Sequence, residues 1–170
     1  IDMREAGLSV LDEIKSKYSF EESIKDIVFE YRFHFPKIEL SLGAIDLLNE
    51  LKKRNATIGL ITDGRSKSQR NKLKALEIEH FFNHILISEE FGSEKPDVRN
   101  FQFYMDNFDA IEYIYIGDNF KKDFVTPNAL GWLTIGLLDD GNNIHPQSLN
   151  LDKKFLPQKT ISSLTDIKLQ

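Results

Sequence analysis

Two aspartates follow an apolar run in the last third of the chain. The run YIYIG, residues 113–117, leads directly into Asp118, and Asp123 follows five positions later. Carboxylate oxygens suit hard cations, and Mg²⁺ in proteins is often held by one or two of them together with phosphate and water. The pattern predicts a buried strand that ends beside two acids able to hold a divalent cation. The same acids could instead cap the helix that begins near Phe124.

A hydroxyl and an ammonium group stand at comparable places earlier in the chain. Thr62, followed by Asp63 and Gly64, comes after the apolar run IGLI, and Lys95 comes shortly after the run ILIS. Phosphoryl transfer depends mainly on positioning the phosphate and neutralising its charge. A hydroxyl, an ammonium group and acids that hold Mg²⁺ are suited to this task, and their order along the chain favours such a site. Taken singly, Thr62 could be an ordinary helix cap and Lys95 a solvated loop residue.

The composition of the 170-residue chain limits its class. Hydrophobic residues make up 41% and charged residues 29%, as expected for one globular domain with a sizeable core. The chain has no cysteine, which excludes disulfides and thiolate metal sites and fits a cytoplasmic location. A net charge of -5 argues against a nucleic-acid partner. No run is long and apolar enough to predict a membrane partner.

The periodicity of apolar residues divides the chain into two parts. Residues 1–36 have apolar positions at three- and four-residue steps, which predicts a small helical unit that ends where Pro36 breaks the pattern. Residues 37–170 alternate between β-rich runs and helical patterns. This alternation is typical of an α/β fold, a Rossmann-like parallel sheet with helices on both faces. The predicted strands are ATIGLIT, HILIS, EYIYIG, WLTIGL and a short strand at the start of TISSLTDI.

This fold would bring the candidate residues together. In an open parallel sheet, ligands bind beyond the carboxyl ends of the strands, where loops and helix N-termini converge. Thr62 ends one predicted strand, Lys95 follows the next, and Asp118 and Asp123 follow the third. We therefore expect all four residues to lie on one rim of the sheet.

Residues 38–138 resemble the core of the haloacid dehalogenase superfamily of phosphohydrolases. The resemblance rests on the segments IGLITDG, ISEEFGSEKPD and YIYIGDNFKKDFVTPNALGW. The helices of residues 1–36 resemble the end of the α-helical cap that many members insert after their first strand. The segment TISSLTDI resembles the closing strand and helix. The resemblance implies a Mg²⁺ cofactor and a small phosphorylated metabolite, such as a sugar phosphate or a nucleotide, as the substrate.

The resemblance also implies a role for each matching residue. Thr62 would hydrogen-bond a phosphoryl oxygen, with the backbone groups of the next two residues nearby. Lys95 would neutralise the phosphate and steady the attacked intermediate. Asp118 would bind Mg²⁺, and Asp123 would support the water shell of the metal or orient Lys95.

One part of the family pattern is missing from the sequence. The first family motif is an apolar strand that ends in Asp-x-Asp, whose first aspartate attacks phosphorus while the second acts as general acid and base. No Asp-x-Asp occurs here: Asp139-Asp140 lacks the alternation, and Asp2 has no strand before it. In the family this strand lies between those that end at Thr62 and Gly117. Without it, the backbone groups that face the gap would be unpaired, which costs stability.

Three hypotheses account for these features. The chain is the larger part of a phosphohydrolase whose first strand lies upstream of Ile1, and it is inactive on its own. Alternatively, it is a non-catalytic relative that keeps a phosphate and metal rim for binding or assembly. A phospho-receiver domain also combines acids, threonine and lysine, but its acids belong near the chain start, whereas here they follow Lys95. An unpaired sheet edge would favour self-association.

Overall fold

The structure is a computed structural model that describes residues 17–18, 21–141, 143 and 147–169. Residues 1–16 of the predicted helical unit lie outside these residues. The α-helices are α1 (Ile24–Phe33), α2 (Ala44–Lys53), α3 (Ser66–Ala75), α4 (Ser88–Phe91), α5 (Val98–Asn107) and α6 (Val125–Ala129). The strands are β1 (Gly59–Thr62), β2 (His84–Ile87), β3 (Ile114–Gly117), β4 (Leu133–Leu137) and β5 (Lys159–Ile161). Within the described ranges, none of the helices has the length and hydrophobicity that a membrane span requires.

The described strands are all parallel, as predicted, but they form two sheets. β1 pairs with β2 in a register that places Thr62 beside Ile87. The second sheet has the order β3, β4, β5, with Gly117 beside Gly136. Among the described residues, β1 pairs only with β2, and β3 only with β4. Each of these two strands therefore keeps one free edge, at the place where the sequence analysis expects a missing strand.

The two strands with free edges are more exposed than their outer partners. Ile114 of β3 is 49% exposed and Gly59 of β1 is also exposed, whereas Ile87 of β2 and Thr134 of β4 are fully buried. A central strand in a parallel sheet covered on both faces is normally buried. The described residues thus leave open the space between the free edges of β1 and β3, which we call the slot.

Helix α5 carries the core cluster that joins the two sheets. Phe101 and Tyr104 of α5 pack with Trp132, and Ile61 of β1 and Tyr115 of β3 lie against the same cluster. Aromatic side chains of this size bury large apolar areas and dominate the energetics of a core. The aromatic layer of α5 therefore holds β1 and β3 side by side although their backbones do not pair.

Tyr104 fits against β1 because residue 59 has no side chain. A Cβ atom at Gly59 would come within 2.2 Å of the Tyr104 ring, closer than packed atoms can approach. The Tyr104 hydroxyl donates to the carbonyl oxygen of Leu60 at 2.8 Å. Burial raises the pKa of Tyr104 above its ordinary value of 10.0, so the phenol stays protonated and remains a hydrogen-bond donor.

Helices α2 and α3 cover the opposite face of the first sheet. Leu73 of α3 and Phe81 belong to a second core cluster, against which Leu48 of α2 and Leu60 of β1 pack. Successive residues of a strand point to opposite faces of a sheet, and Leu60 and Ile61 accordingly belong to different clusters. The α/β architecture with helices on both faces is therefore as predicted.

Two helix starts are explained by capping side chains. Helix α5 begins at Val98, and the side chain of the preceding Asp97 accepts from the backbone N–H of Arg99. The final short helix, Leu164–Asp166, is capped by Ser163.

The predicted helical unit is represented in the described residues mainly by α1. Asn71 of α3 donates its side-chain Nδ2 to the carbonyl oxygens of Phe33 and His34, at 3.0 and 2.9 Å. Asn71 is 6% exposed. The end of α1 is thus fixed to α3 by a buried amide, and the division of the chain at residue 36 stays a prediction.

Candidate functional site

The carboxylate of Asp123 is the most buried charged group of the rim. Asp123 is 1% exposed. Its Oδ1 accepts from Lys95 Nζ at 2.8 Å, and its Oδ2 accepts from the backbone N–H groups of Asp118 and Asn119 at 3.1 and 2.9 Å. A Cβ atom at Gly117 would come within 2.5 Å of Oδ2, so this glycine leaves room for the acid. Asp123 therefore fixes both the turn after β3 and the position of Lys95.

These contacts bear on the roles that the sequence left open for Asp123. Both carboxylate oxygens accept hydrogen bonds, Oδ1 from Lys95 and Oδ2 from two backbone N–H groups. The arrangement is that of a residue that orients Lys95. Asp123 does not cap α6, because the N-cap position of that helix is Phe124 and no side chain caps it.

Lys95 is tied to the loop after β1 as well as to Asp123. Its backbone N–H donates to Asp63 Oδ1 at 3.0 Å, and its Nζ lies 3.4 Å from the Tyr115 hydroxyl. The Lys95 side chain is only 14% exposed. A charge that is largely removed from water interacts strongly with a nearby anion. This geometry suits phosphate binding and is not that of a solvated loop lysine.

Tyr115 was not singled out by the sequence analysis, yet it lies beneath the rim. Burial raises the pKa of the Tyr115 phenol well above its ordinary value, and the negative charges of Asp123, Asp63 and Asp118 raise that pKa further. Electrostatic interaction falls with distance. The hydrogen bonds of Lys95 to Asp63 and Asp123, and that of the Asp118 N–H to Asp123, place these three acids around the ends of β1 and β3.

Thr62 ends β1, and its hydroxyl is held by a side chain from the first turns of α3. Thr62 Oγ1 donates to Gln69 Oε1 at 3.0 Å, and Gln69 Nε2 donates to the carbonyl oxygen of Asp63 at 3.3 Å. The alternative that Thr62 caps α3 is wrong, because the N-cap of α3 is Arg65. A hydroxyl has a single proton, so a phosphoryl oxygen that accepts from Thr62 would replace Gln69 as its acceptor.

The two residues after Thr62 are engaged with neighbouring loops. Asp63 Oδ2 lies 3.4 Å from Lys122 Nζ. Gly64 has a φ of +137°, a backbone region that side chains disfavour, and its N–H donates to Ser88 Oγ at 2.9 Å. Because this N–H is engaged, a contact between it and phosphate would need a rearrangement. The phosphate-binding roles of Asp63 and Gly64 stay predictions.

Asp118 is the acid of the rim with one oxygen to which no described residue donates a hydrogen bond. Its Oδ2 accepts from Asn143 Nδ2 at 2.8 Å, and its backbone carbonyl accepts from Gln147 Nε2 at 2.8 Å. No residue in the described ranges donates a hydrogen bond to Asp118 Oδ1. This carboxylate can therefore accept a cation without loss of the hydrogen bonds that hold it. Asn143 and Gln147 were not predicted from the sequence.

The described residues fit one part of a magnesium site. Residues 17–18, 21–141, 143 and 147–169 contain no group of three or more His, Cys, Asp or Glu side chains arranged to hold a metal. Mg²⁺ commonly uses one or two carboxylates and completes its octahedron with phosphate oxygens and water. Asp118 can supply one such carboxylate, and the predicted metal-site role of Asp123 stays a prediction.

The sequence matches the family of haloacid dehalogenase-like hydrolases over residues 6–136, which is well over half of the chain. The chain belongs to this family. The family resemblance expected from the three rim segments is therefore confirmed, and so is the α/β fold that it implies.

This haloacid dehalogenase-like chain is 32% identical to the glyceraldehyde 3-phosphate phosphatase of Methanocaldococcus jannaschii, over 81% of this chain and 69% of that protein. It is 31% identical to the pyrimidine 5'-nucleotidase YjjG of Escherichia coli, over 74% of this chain and 54% of that protein. The HAD-hydrolase YfnB of Bacillus subtilis, solved with magnesium bound, matches its fold with a TM-score of 0.66 and 22% identity. That match covers 98% of this chain and 70% of the other. The chain thus spans only part of the length of each relative.

Proposed function

We propose that this chain carries the phosphate-binding and metal-binding part of a Mg²⁺-dependent phosphohydrolase that acts on a small phosphorylated metabolite. The observation that carries the proposal is the buried pair of Lys95 and Asp123, 2.8 Å apart. It lies on the same rim as Thr62 and Asp118, and the four residues come from three separate strand ends. A cationic group, a hydroxyl and an open carboxylate at one rim are the groups that phosphoryl transfer requires.

Lys95 and Thr62 bind the phosphoryl group in this proposal. Lys95 neutralises its charge from a largely desolvated position, where electrostatic stabilisation is strongest. Asp123 keeps the ammonium group in place, so little reorganisation is needed when the phosphate enters. Thr62 donates a hydrogen bond to a phosphoryl oxygen, which replaces Gln69 as the acceptor.

Asp118 would hold Mg²⁺ through Oδ1, to which no described residue donates a hydrogen bond. The bound cation supplies a Lewis acid that polarises a phosphoryl oxygen and neutralises charge. The hydrogen bonds from Asn143 and Gln147 keep Asp118 in one orientation. The magnesium bound to the Bacillus subtilis structure supports the choice of this cation.

The aspartate that attacks phosphorus comes from a strand that fills the slot. Such a strand, parallel to β1 and β3, would end on the rim between Thr62 and Asp118. Neighbouring strands lie about 4.8 Å apart, so the carboxylate at its end would lie beside both residues. The exposure of Gly59 and Ile114 supports this placement, because a strand in the slot would cover them.

The substrate class is supported by the relatives and by the space beside the rim. The similar proteins are phosphatases of glyceraldehyde 3-phosphate and of pyrimidine nucleotides, both small metabolites. An open cleft of about 620 Å³ adjoins Gly64 and is lined by residues of both charges, including Arg65, Glu89 and Arg99. A cleft of this size and polarity suits a small hydroxylated or anionic organic group.

One observation favours a second candidate function. Because the 170 residues contain no Asp-x-Asp, the chain could bind phosphate and metal for assembly without hydrolysis. This alternative predicts that no added strand restores turnover.

Hydrolysis of p-nitrophenyl phosphate in the presence of Mg²⁺ tests the proposal. The chain alone should show no turnover, and the chain extended by an N-terminal segment whose strand ends in Asp-x-Asp should hydrolyse the ester. A matched segment that ends in Asn-x-Asn should restore the fold without activity. Loss of the restored turnover in Lys95→Ala or Asp118→Ala would support the assigned roles. A folded extended chain without turnover would favour the non-catalytic alternative.

A further inference from the structure

The loop after β4 contacts Asp118, the acid that binds Mg²⁺ in the proposed function. Asn143 Nδ2 donates to Asp118 Oδ2 at 2.8 Å. The backbone N–H groups of Asn143 and Gly141 both donate to Asp139 Oδ1, each at 2.8 Å. Asp139 therefore folds the loop into a turn that brings the carboxamide of Asn143 to Asp118.

Gln147 fixes the same loop from its other end. Its Nε2 donates to the carbonyl oxygens of Asp118 and Leu137, both at 2.8 Å. Its Oε1 accepts from the backbone N–H of Asp139 at 2.8 Å. One carboxamide thus joins the ends of β3 and β4 to the loop. The position of Asn143 is set from both sides, which distinguishes this contact from a chance meeting of two surface side chains.

The orientation of the Asn143 carboxamide follows from charge. An ionised carboxylate only accepts hydrogen bonds, so the nitrogen of Asn143, and not its oxygen, must face Asp118. Asp118 Oδ2 is then engaged by a donor, while Oδ1 has no donor among the described residues. In this state Asp118 favours a cation that uses one carboxylate oxygen over a cation that uses both.

We propose that Asn143 is a positioning residue that makes Asp118 a monodentate ligand and thereby favours Mg²⁺ over Ca²⁺. The inference rests on the proposed function, because it takes Asp118 as the metal ligand. Mg²⁺ requires near-ideal octahedral geometry at about 2.0–2.1 Å, whereas Ca²⁺ accepts bidentate carboxylates at about 2.3–2.6 Å. Hydrogen-bond partners of a ligand also raise metal affinity, and their removal typically costs about 10–100-fold.

Binding of Mn²⁺ to the chain extended by the Asp-x-Asp segment, measured by electron paramagnetic resonance of the free ion and displaced by Mg²⁺ or Ca²⁺, tests the inference. In Asn143→Ala we expect Mg²⁺ affinity to fall by about tenfold, and the ratio of Ca²⁺ to Mg²⁺ affinity to rise at least about threefold. Asn143→Leu, which keeps the shape of the side chain, should do the same. Asn150→Ala, at an exposed position of the same tail, should change neither quantity.

The outcomes of this experiment separate the inference from the proposed function. An unchanged affinity ratio, or tighter Mg²⁺ binding, in the folded Asn143 variants would overturn the inference alone. Thermal unfolding without metal identifies the folded variants. If Asn143→Ala does not fold, the affinity ratio of Asn143→Leu is the deciding measurement. If the extended chain without a substitution binds no divalent ion, or if Asp118→Ala leaves binding unchanged, the proposed metal site is overturned together with the inference.

Discussion

Lys95 and Asp123 form an ion pair of 2.8 Å that joins the two sheets at the rim, with side chains 14% and 2% exposed. Lys95 follows the first sheet, and Asp123 follows β3 of the second. A pair of charges so far removed from water is costly when one partner is lost, because the other charge stays buried without compensation. The pair therefore contributes to the fold as well as to the proposed phosphate site.

We expect Asp123→Asn to lower the free energy of unfolding by about 3–5 kcal/mol, because it leaves the Lys95 ammonium buried without its counter-charge. Urea unfolding followed by circular dichroism measures the change. As a control, Glu50→Gln removes a carboxylate that pairs with Lys53 and Arg54 on the exposed surface of α2. Exposed pairs contribute at most about 1 kcal/mol. An equal loss of unfolding free energy in both variants would show that the buried pair contributes no more to stability than the exposed pairs.

Gly59→Ala should destabilise the protein by about 1–3 kcal/mol, the usual cost of overpacking a core. The added Cβ would lie 2.2 Å from the Tyr104 ring and would push α5 away from β1. Thermal unfolding of the single variants and of the double variant with Tyr104→Leu gives the coupling between the two positions. We expect the substitution at Gly59 to cost less once the ring has been removed. Strict additivity would show that the strain lies elsewhere.

The ion pair between Arg70 and Glu90 predicts a pH dependence of stability. Side-chain hydrogen bonds from Arg70 and then Ser66 lower the pKa of Glu90 below its ordinary value of 4.5. Because the pKa is lower in the folded state, the stabilisation is present above pH 4.5 and is lost as the pH falls through the lowered pKa. Arg70→Met should therefore lower the melting temperature at pH 7, and this effect should decrease as the pH falls below 4.5.

A matched control separates this pair from the general charge of α3. Lys72→Met removes one positive charge from an exposed position of the same helix. The effect of Lys72→Met on the melting temperature should not decrease as the pH falls, whereas the effect of Arg70→Met should. If the two variants respond to pH in the same way, the pairing with Glu90 does not account for the dependence.

The free edges of β1 and β3 predict self-association of the isolated chain. Unpaired strand edges present backbone donors and acceptors to other chains, and sedimentation velocity at increasing protein concentration would detect the resulting oligomers. A synthetic apolar peptide long enough to form one strand should fill the slot and shift the chain toward the monomer. The same peptide with proline at alternate positions cannot donate those hydrogen bonds and should not act. A chain that stays monomeric at high concentration without peptide would count against open edges.

The sequence carried enough information to predict the parallel α/β fold and the rim segments. Apolar runs that end at Thr62 and Gly117 mark strands, and the alternation with helices predicts their parallel pairing. The order of hydroxyl, lysine and acids along the chain was sufficient to group them, because parallel strands present their carboxyl ends on one side. The resemblance to the family rests on these same positions.

The partners of the rim residues could not be predicted from the sequence in the same way. Gln69, Asn143 and Gln147 act through single side-chain amides, and a lone amide in a helix or loop leaves no periodic pattern. Lys122 is adjacent to Asp123 in the sequence, but its contact with Asp63 depends on how the two sheets pack against each other. Such contacts follow from tertiary packing, which the spacing of residues along the sequence does not predict.

The way in which α5 joins the sheets has a mechanical consequence. A ladder of backbone hydrogen bonds fixes the spacing between paired strands, whereas the spacing between β1 and β3 is set by the packing of rings such as Phe101 and Tyr104. The width of the opening between β1 and β3 is therefore governed by the bulk of aromatic side chains on a single helix. Replacement of those rings by larger or smaller ones would tune which β-segments the molecule accepts, without alteration of any group that meets the phosphate.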